Sequence, residues 1–534
     1  MIRTSVWHAH DMGEESTADD PTWAPEVAQL RGLERAARQM GGPEKVARQH
    51  EFGKLTVRER IDALVDAGSF HEIGALAGKQ VLQSDGTRKL QPANFVMGRA
   101  EIDGRPVVVG GDDFTVRGGA ADASIAEKQI MAEQLAHEYR LPIVRLVDGT
   151  GGGGSIKALE DGGSTYIPAN PGWNWVVANL ATVPVVSLGL GSVAGLGAAR
   201  MVASHYSLMV AGTSQIFVAG PPLVAQLGEQ VTKEELGGAH IHGHNGTVSD
   251  VVASEEEAFE RARWFLSYLP SSVFDVAERA EPHDDPERRD DWLIGAIPRN
   301  RRQGYAIRPI VESLVDDGTF FEIGRGWGRS TVTGLARLDG WPVAVLASDP
   351  AFYGGGLTAD SSQKMESFVE LADTFHLPVV HLVDQPGFVI GVEAERASTI
   401  RHGARALAAV YQARVPWCSI VLRRVFGVGG AAHADHTRVQ FRAAWPSGDW
   451  GSLPLEGGIE AAYRAELDAA EDRDAARAAI EDRMNAIRSP FNTAGDFGVE
   501  EIIDPRDTRP FLCEFARLSA PLRTPGVVGW SFRG

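Results

Sequence analysis

The chain has 534 residues, 43% of them hydrophobic and 23% charged, with a formal net charge of −19. That length asks for more than one core, and the composition is that of a folded globular protein. The negative charge excludes nucleic acid and anionic membrane as main partners, while leaving room for a small anion held by local arginines. The two cysteines, Cys418 and Cys513, make neither a disulfide framework nor a four-cysteine zinc site, so a cytoplasmic protein is expected.

Residues 1–24 mix acids and histidines with few apolar side chains and read as a disordered extension without a signal-peptide core. A helix is expected over 25–39, with Val27, Leu30 and Leu33 on one face. Thr56 followed by Glu59 reads as the capping box of a second helix that ends near Gly68. From Gly162 to Ala199 no side chain is charged. Prolines, asparagines and glycines break that stretch, so it reads as buried core rather than a membrane span. Within it, residues 183–199 run from an apolar strand into Gly191, Gly195 and Gly197, a turn whose uncovered backbone N–H groups suit a developing oxyanion.

The chain carries an internal repeat. Residues 64–74 return as 314–324, placing Arg58 opposite Arg308; Asp103-Gly104 returns as Asp339-Gly340, and residues 141–148 return as 377–384. Each copy reads strand, glycine cluster (Gly118-Gly119; Gly354-Gly355-Gly356), helix, strand, helix, strand and glycine turn. The first helix shows Met131, Leu135 and Tyr139 at helical spacing, its counterpart Met365, Phe368, Val369, Ala372 and Phe375. The second glycine turn is Gly427-Val428-Gly429-Gly430, after the strand 415–422. Strands alternating with helices imply α/β units with buried sheets. The charged, proline-bearing stretch 281–291 is the expected seam, and one long solvated helical segment is expected over 459–487.

Other motifs carry less. Gly151-Gly152-Gly153-Gly154 completes neither a Walker motif nor a dinucleotide fingerprint, which leaves a substrate-facing loop or a plain linker. His240, His242 and His244 would share one face on a strand, but Gly237-Gly238 and Asn245-Gly246 mark a turn region and only Glu234 and Glu235 lie nearby, so they read as surface or hydrogen-bonding side chains rather than metal ligands. No serine elbow stands at a strand end, and Cys418 sits in an apolar strand where a thiol is inert.

Several stretches together resemble the carboxyltransferase (β) subunits of biotin-dependent acyl-CoA carboxylases of the propionyl-CoA and methylcrotonyl-CoA type. They are Gly53-Lys54-Leu55-Thr56-Val57-Arg58-Glu59-Arg60-Ile61, Gly220-Pro221-Pro222, Glu234-Glu235-Leu236-Gly237-Gly238, Gln363-Lys364-Met365, Asp384-Gln385-Pro386-Gly387-Phe388, Arg401-His402-Gly403-Ala404 and Ala444-Trp445-Pro446. The resemblance spans roughly residues 25–515 and implies two tandem crotonase-type (ββα superhelix) domains, here 25–285 for acyl-CoA and 286–520 for carboxybiotin, with a tail over 521–534. It implies that the amides of Gly195 and Leu196 hold the thioester oxygen and those of Val428 and Gly429 the ureido oxygen of carboxybiotin. Gly151, Gly152, Gly153, Gly154, Ala194, Phe388, Gly430 and Ala431 are then expected to line the substrates. The family chemistry passes through an enolate and a ureido anion, with the biotin nitrogen as base, and residues 198–205 offer no catalytic acid.

Because the chain lacks an Ala-Met-Lys-Met site, biotin is expected on a separate carrier, with a biotin carboxylase partner, no metal, and a homo-hexameric core whose sites lie between subunits. The first turn has Gly195-Leu196 where many relatives pair glycines, and the second departs from the propionyl pattern. Ala431, small where propionyl-type relatives place a carboxylate, implies acyl groups larger than propionyl. The alternatives are a decarboxylase subunit for a carboxyacyl-CoA, a biotin-independent crotonase-type thioester enzyme, and an inactive scaffold.

Overall fold

A computed structural model describes residues 22–82, 88–119, 123–149, 164–165, 167, 169–301 and 303–529. It contains two main sheets, one per copy of the repeat. The first is seven-stranded, in the order His71–Ile73, Phe95–Ile102, Arg105–Asp112, Ile143–Val147, Val185–Gly189, Tyr206–Val210, Asp250–Val252. The first two pairings are antiparallel and the rest parallel.

The second sheet is eight-stranded and repeats the pattern through Phe321–Ile323, Thr331–Leu338, Trp341–Ser348, Val379–Gln385 and Trp417–Phe426. It then continues to Phe441–Ala444 and Glu501–Ile502, with Asp449–Gly451 on the end of Trp417–Phe426. The matching hairpins share one register, Ile102 opposite Arg105 and Leu338 opposite Trp341. Both close through an Asp-Gly pair at positive φ (52° and 74° at Asp103 and Gly104, 50° and 77° at Asp339 and Gly340), the backbone of a type I′ turn.

Local signals account for much of this. Thr56 and Glu59 form the expected capping box, but the helix they start, Val57–Leu64, stops short of Gly68. The first helix runs Ala24–Arg38 with Val27 and Leu30 exposed. In Ala126–Tyr139 the buried side chains are Lys128, Ala132, Glu133 and Ala136, whereas Met131 and Tyr139 are exposed, so the apolar spacing there picks the wrong face. Its counterpart Ala359–Thr374 buries Met365, Phe368, Val369 and Ala372 as expected. The segment read as one long helix is three: Leu455–Ala462, Arg464–Ala469 and Arg473–Ile487. Among the described residues no helix is long and apolar enough to cross a membrane.

One core runs through both halves of the repeat. Tyr206 of the first sheet stacks on Phe265 at 4.9 Å and meets Phe321 of the second edge-on at 5.4 Å. His376 hydrogen-bonds the Val273 carbonyl at 2.7 Å, and near the C-terminus the Gly526 N–H also donates to Val273 O at 2.7 Å. The stretch 281–291 is not a loose linker: Arg288 pairs with Asp284 and Asp290, and Arg289 with Asp507.

Candidate active site

The first glycine turn is shaped by what crowds it. A Cβ on Gly191 would lie 1.8 Å from Asp148 Oδ1, so no larger residue fits. Beyond it, Ser192–Ala194 pairs in parallel with Gln215–Phe217, and Gly195, at φ 59° and ψ −126°, swings the chain into the helix Leu196–Val202. The Gly195 N–H donates to Phe217 O at 3.3 Å. Leu196 opens the helix, where an N–H has no partner within the helix, and no acceptor meets it among the described residues.

The second turn repeats the device. Trp417–Phe426 runs into the helix Gly427–Ala431, and Gly427 also has φ 59°. In this register Val428 corresponds to Leu196 and Gly429 to Gly197. Gly429 is buried, and a Cβ there would meet Gly387 C at 2.9 Å and Phe388 N at 3.0 Å. Val428 is exposed. Gly430 is pressed against Val425, and Ala431 is exposed at the end of the helix, its carbonyl accepting from His436 Nε2 at 3.1 Å. Phe388 is half-buried, and its ring occupies the space a side chain at Gly403 would need.

Beside the first turn lies a cavity of about 350 Å³ lined by residues of the first half, among them Leu196, Gly197, Asn94, Asp112, Glu133, Trp173 and Arg200. Glu133 is spoken for: Arg145 holds it with two hydrogen bonds of 2.8 and 2.9 Å, and Asn179 adds a third at 3.0 Å. Burial raises the pKa of Asp112, against the pull of Arg200 3.8 Å away. Ala194 is half-buried at the end of its strand, next to Gly195.

Behind each turn sits a buried aspartate. Asp148 accepts from Lys54 at 2.8 and 3.0 Å, from Arg60 at 2.9 Å and from Gln49 at 3.2 Å. Arg60 also grips Glu255 and the Leu190 carbonyl, just ahead of the turn. Asp384 accepts from Arg423, Arg424 and Tyr305. Both carboxylates are fully removed from water and are tolerable only because each is multiply hydrogen-bonded.

The expected residues therefore fall into two groups, Ala194, Gly195 and Leu196 at one turn and Phe388, Val428, Gly429, Gly430 and Ala431 at the other. Gly151, Gly152, Gly153 and Gly154 lie outside the described residues. In the histidine run, read as a turn region, Ala239–His242 is a short helix, His242 bonds Ile216 O, and His244 bonds His240 O. The sequence alone did not single out Asp112 and Arg200. The available signal was one arginine in an otherwise uncharged stretch, Leu196 to Ser204.

Comparison with known proteins identifies the family. A family model described as carboxyl transferase domain matches residues 48–525. The chain is similar to a propionyl-CoA carboxylase carboxyltransferase subunit of Haloferax mediterranei, 32% identical with 91% of this chain and 95% of that one covered. It is also similar to the methylmalonyl-CoA carboxyltransferase 12S subunit of Propionibacterium freudenreichii subsp. shermanii, 33% identical with 90% and 92% covered. A solved structure described as a transcarboxylase 12S hexamer with hydrolysed methylmalonyl-coenzyme A bound superposes with a TM-score of 0.84 at 30% identity, covering 96% of this chain and 99% of that one. With residues 48–525 matched by the family model and nine-tenths of its length covered by these relatives, the chain belongs to the carboxyl transferase domain family and has its two-domain crotonase-like α/β fold.

Proposed function

We propose that the protein is the carboxyltransferase subunit of a biotin-dependent acyl-CoA carboxylase, transferring a carboxyl group to the α (or vinylogous γ) carbon of an acyl-CoA thioester. The observation that carries this reading is the duplicated turn, a strand leading through glycine at φ 59° into a short helix, at Gly195 and again at Gly427. Carboxyl transfer to a thioester needs two places where negative charge on oxygen is stabilised, and uncovered backbone N–H groups do this without reorganising.

At the first turn the Leu196 amide is the donor assigned to the thioester oxygen, since the Gly195 amide is already directed at Phe217 O. At the second, Val428 and Gly429 are assigned to the ureido oxygen. The fit is physical, because the glycine at 429 lets the turn lie directly on the Gly387–Phe388 backbone. Carboxybiotin, borne on a separate carrier protein, supplies the carboxyl group when it docks; this chain binds, orients and stabilises. Residues 25–285 form the acyl-CoA side and 286–520 the carboxybiotin side, in a homo-hexamer whose sites pair the first half of one copy with the second half of another.

The test is to purify the protein with its partners, blot with streptavidin for a biotinylated subunit, and assay ATP-dependent carboxylation across CoA thioesters. Carboxylation of at least one thioester with a biotinylated partner is expected. No biotinylated partner and no carboxylation would overturn the assignment.

A further inference from the structure

Arg200 is the feature that the proposed chemistry does not use. It sits in the helix Leu196–Val202, four residues past Leu196 and so on the same face, and it lines the cavity beside the first turn. Arg200 is 8% exposed, yet among the described residues its guanidinium makes no hydrogen bond. The Nε is buried without a partner, Asp112 stands off at 3.8 Å, and the nearest ring, Phe95, is 5.5 Å away. Arg145 shows what a structural arginine in this core looks like: it donates to both oxygens of Glu133 and to two carbonyls, one of them that of Arg200.

A guanidinium has five donors in a rigid fork; here Nε is buried without a partner, and the two terminal nitrogens are left to the cavity that Arg200 lines. Glu133, also in the cavity wall, acts on Arg200 only through space, since its hydrogen bonds go to Arg145 and Asn179. Asp112 is held back by the Asp148 backbone N–H at 3.1 Å. The free donors therefore open onto the cavity, where a ligand oxygen can satisfy them.

We infer that Arg200 selects acyl groups carrying an oxygen acceptor of their own, a carboxylate or a carbonyl, beyond the thioester. Leu196 and Arg200 lie four residues apart on one helix and line the same cavity, so an acyl group held at the Leu196 amide extends past the guanidinium. The assignment rests on the carboxyltransferase reading, with the thioester oxygen at Leu196. It adds a polar recognition element to a pocket that would otherwise sort substrates by size alone, where discrimination is weak.

The experiment compares three five-carbon thioesters in the holoenzyme: glutaryl-CoA, 4-oxopentanoyl-CoA and pentanoyl-CoA. In the wild type kcat/KM is expected to favour glutaryl-CoA or 4-oxopentanoyl-CoA over pentanoyl-CoA by about 10²-fold, and which of the two leads tells a carboxylate from a carbonyl acceptor. Arg200→Met is expected to abolish that preference, and Arg200→Lys to keep part of it. Because each ratio is taken within one variant, partial loss of folded protein cancels. Pentanoyl-CoA used as well as both oxygenated substrates by the wild type, or a preference unchanged in Arg200→Met, overturns the inference while leaving carboxyl transfer standing. Carboxylation of no thioester at all would instead remove the reading on which it rests.

Discussion

Asp148 and Asp384 occupy the same place in the two sheets, and each is neutralised by two cationic side chains, but those arrive from opposite directions along the chain. Lys54 and Arg60 precede Asp148, whereas Arg423 and Arg424 follow Asp384. The duplicated fold thus keeps the buried charge and reassigns its partners.

Arg60 bridges two acids, so its loss strands Glu255 as well as weakening Asp148. Arg60→Ala is expected to cost about 3–5 kcal/mol, the penalty of an uncompensated buried charge. Arg423→Ala leaves Arg424 and Tyr305 on Asp384 and is expected to cost clearly less. Urea unfolding of both variants decides this, and equal midpoints would contradict the bridging role.

Leu196→Pro and Val428→Pro each delete a backbone donor at a position where proline is tolerated, the first turn of a helix. Each is expected to lower kcat by about 10²- to 10³-fold with little change in unfolding midpoint. Leu196→Ala, which keeps the N–H and changes only an exposed side chain, is expected to retain activity. A Leu196→Pro protein with wild-type kcat would remove this amide from the mechanism.

The same two proline variants test where the site is completed. If it pairs the first half of one copy with the second half of another, subunits of Leu196→Pro and Val428→Pro dissociated and reassembled together should regain about a quarter of wild-type activity. A site completed within one copy regains none.

Burial lowers the pKa of His433 to about 3 and of His381 to about 4, beneath the second turn, where His433 bonds Gly430 O at 2.8 Å. The folded state thus favours neutral rings. Their contribution to stability is fully present above the ordinary value of 6.5 and is lost as pH falls towards the folded values, because there the unfolded chain binds more protons. Between about pH 6 and 4, wild type should lose up to ~1.4 kcal/mol per pH unit more than His433→Gln. Parallel stability curves would show that His433 does not titrate in this way.

Exhaustive chelation is expected to leave the transfer step unchanged when it is assayed from preformed carboxybiotin. Among the described residues no group of three His, Cys, Asp or Glu is placed to hold a metal, and the histidines at 242 and 244 bond backbone carbonyls. Loss of transfer that added zinc restores would reverse this.

The repeat made the sheets legible, because matching strands, Asp-Gly turns and Leu-Pro strand starts recur at fixed spacing. The glycine turns were legible for the same reason. What failed was facing: in Ala126–Tyr139 the buried side includes Lys128 and Glu133, so an apolar pattern selects the wrong surface. Lys128 lies under the positive-φ Gly74, and Glu133 meets Arg145 from a neighbouring strand. Both depend on partners distant in sequence. Arg200 escaped notice because a single arginine signals nothing until its lack of an acceptor is seen.

The continuous core across Tyr206, Phe265 and Phe321, with the C-terminal segment tied back to Val273, has a mechanical consequence. A hinge between the halves would have to tear aromatic packing, so neither half can swing to carry a reactant. The two turns behave as fixed stations, and the distance between stations in any assembly is set by how the copies dock. In the carboxyltransferase reading proposed above, all the travel then falls to the tethered arm of the carrier, whose length, not any flexing of this protein, determines which stations it can visit.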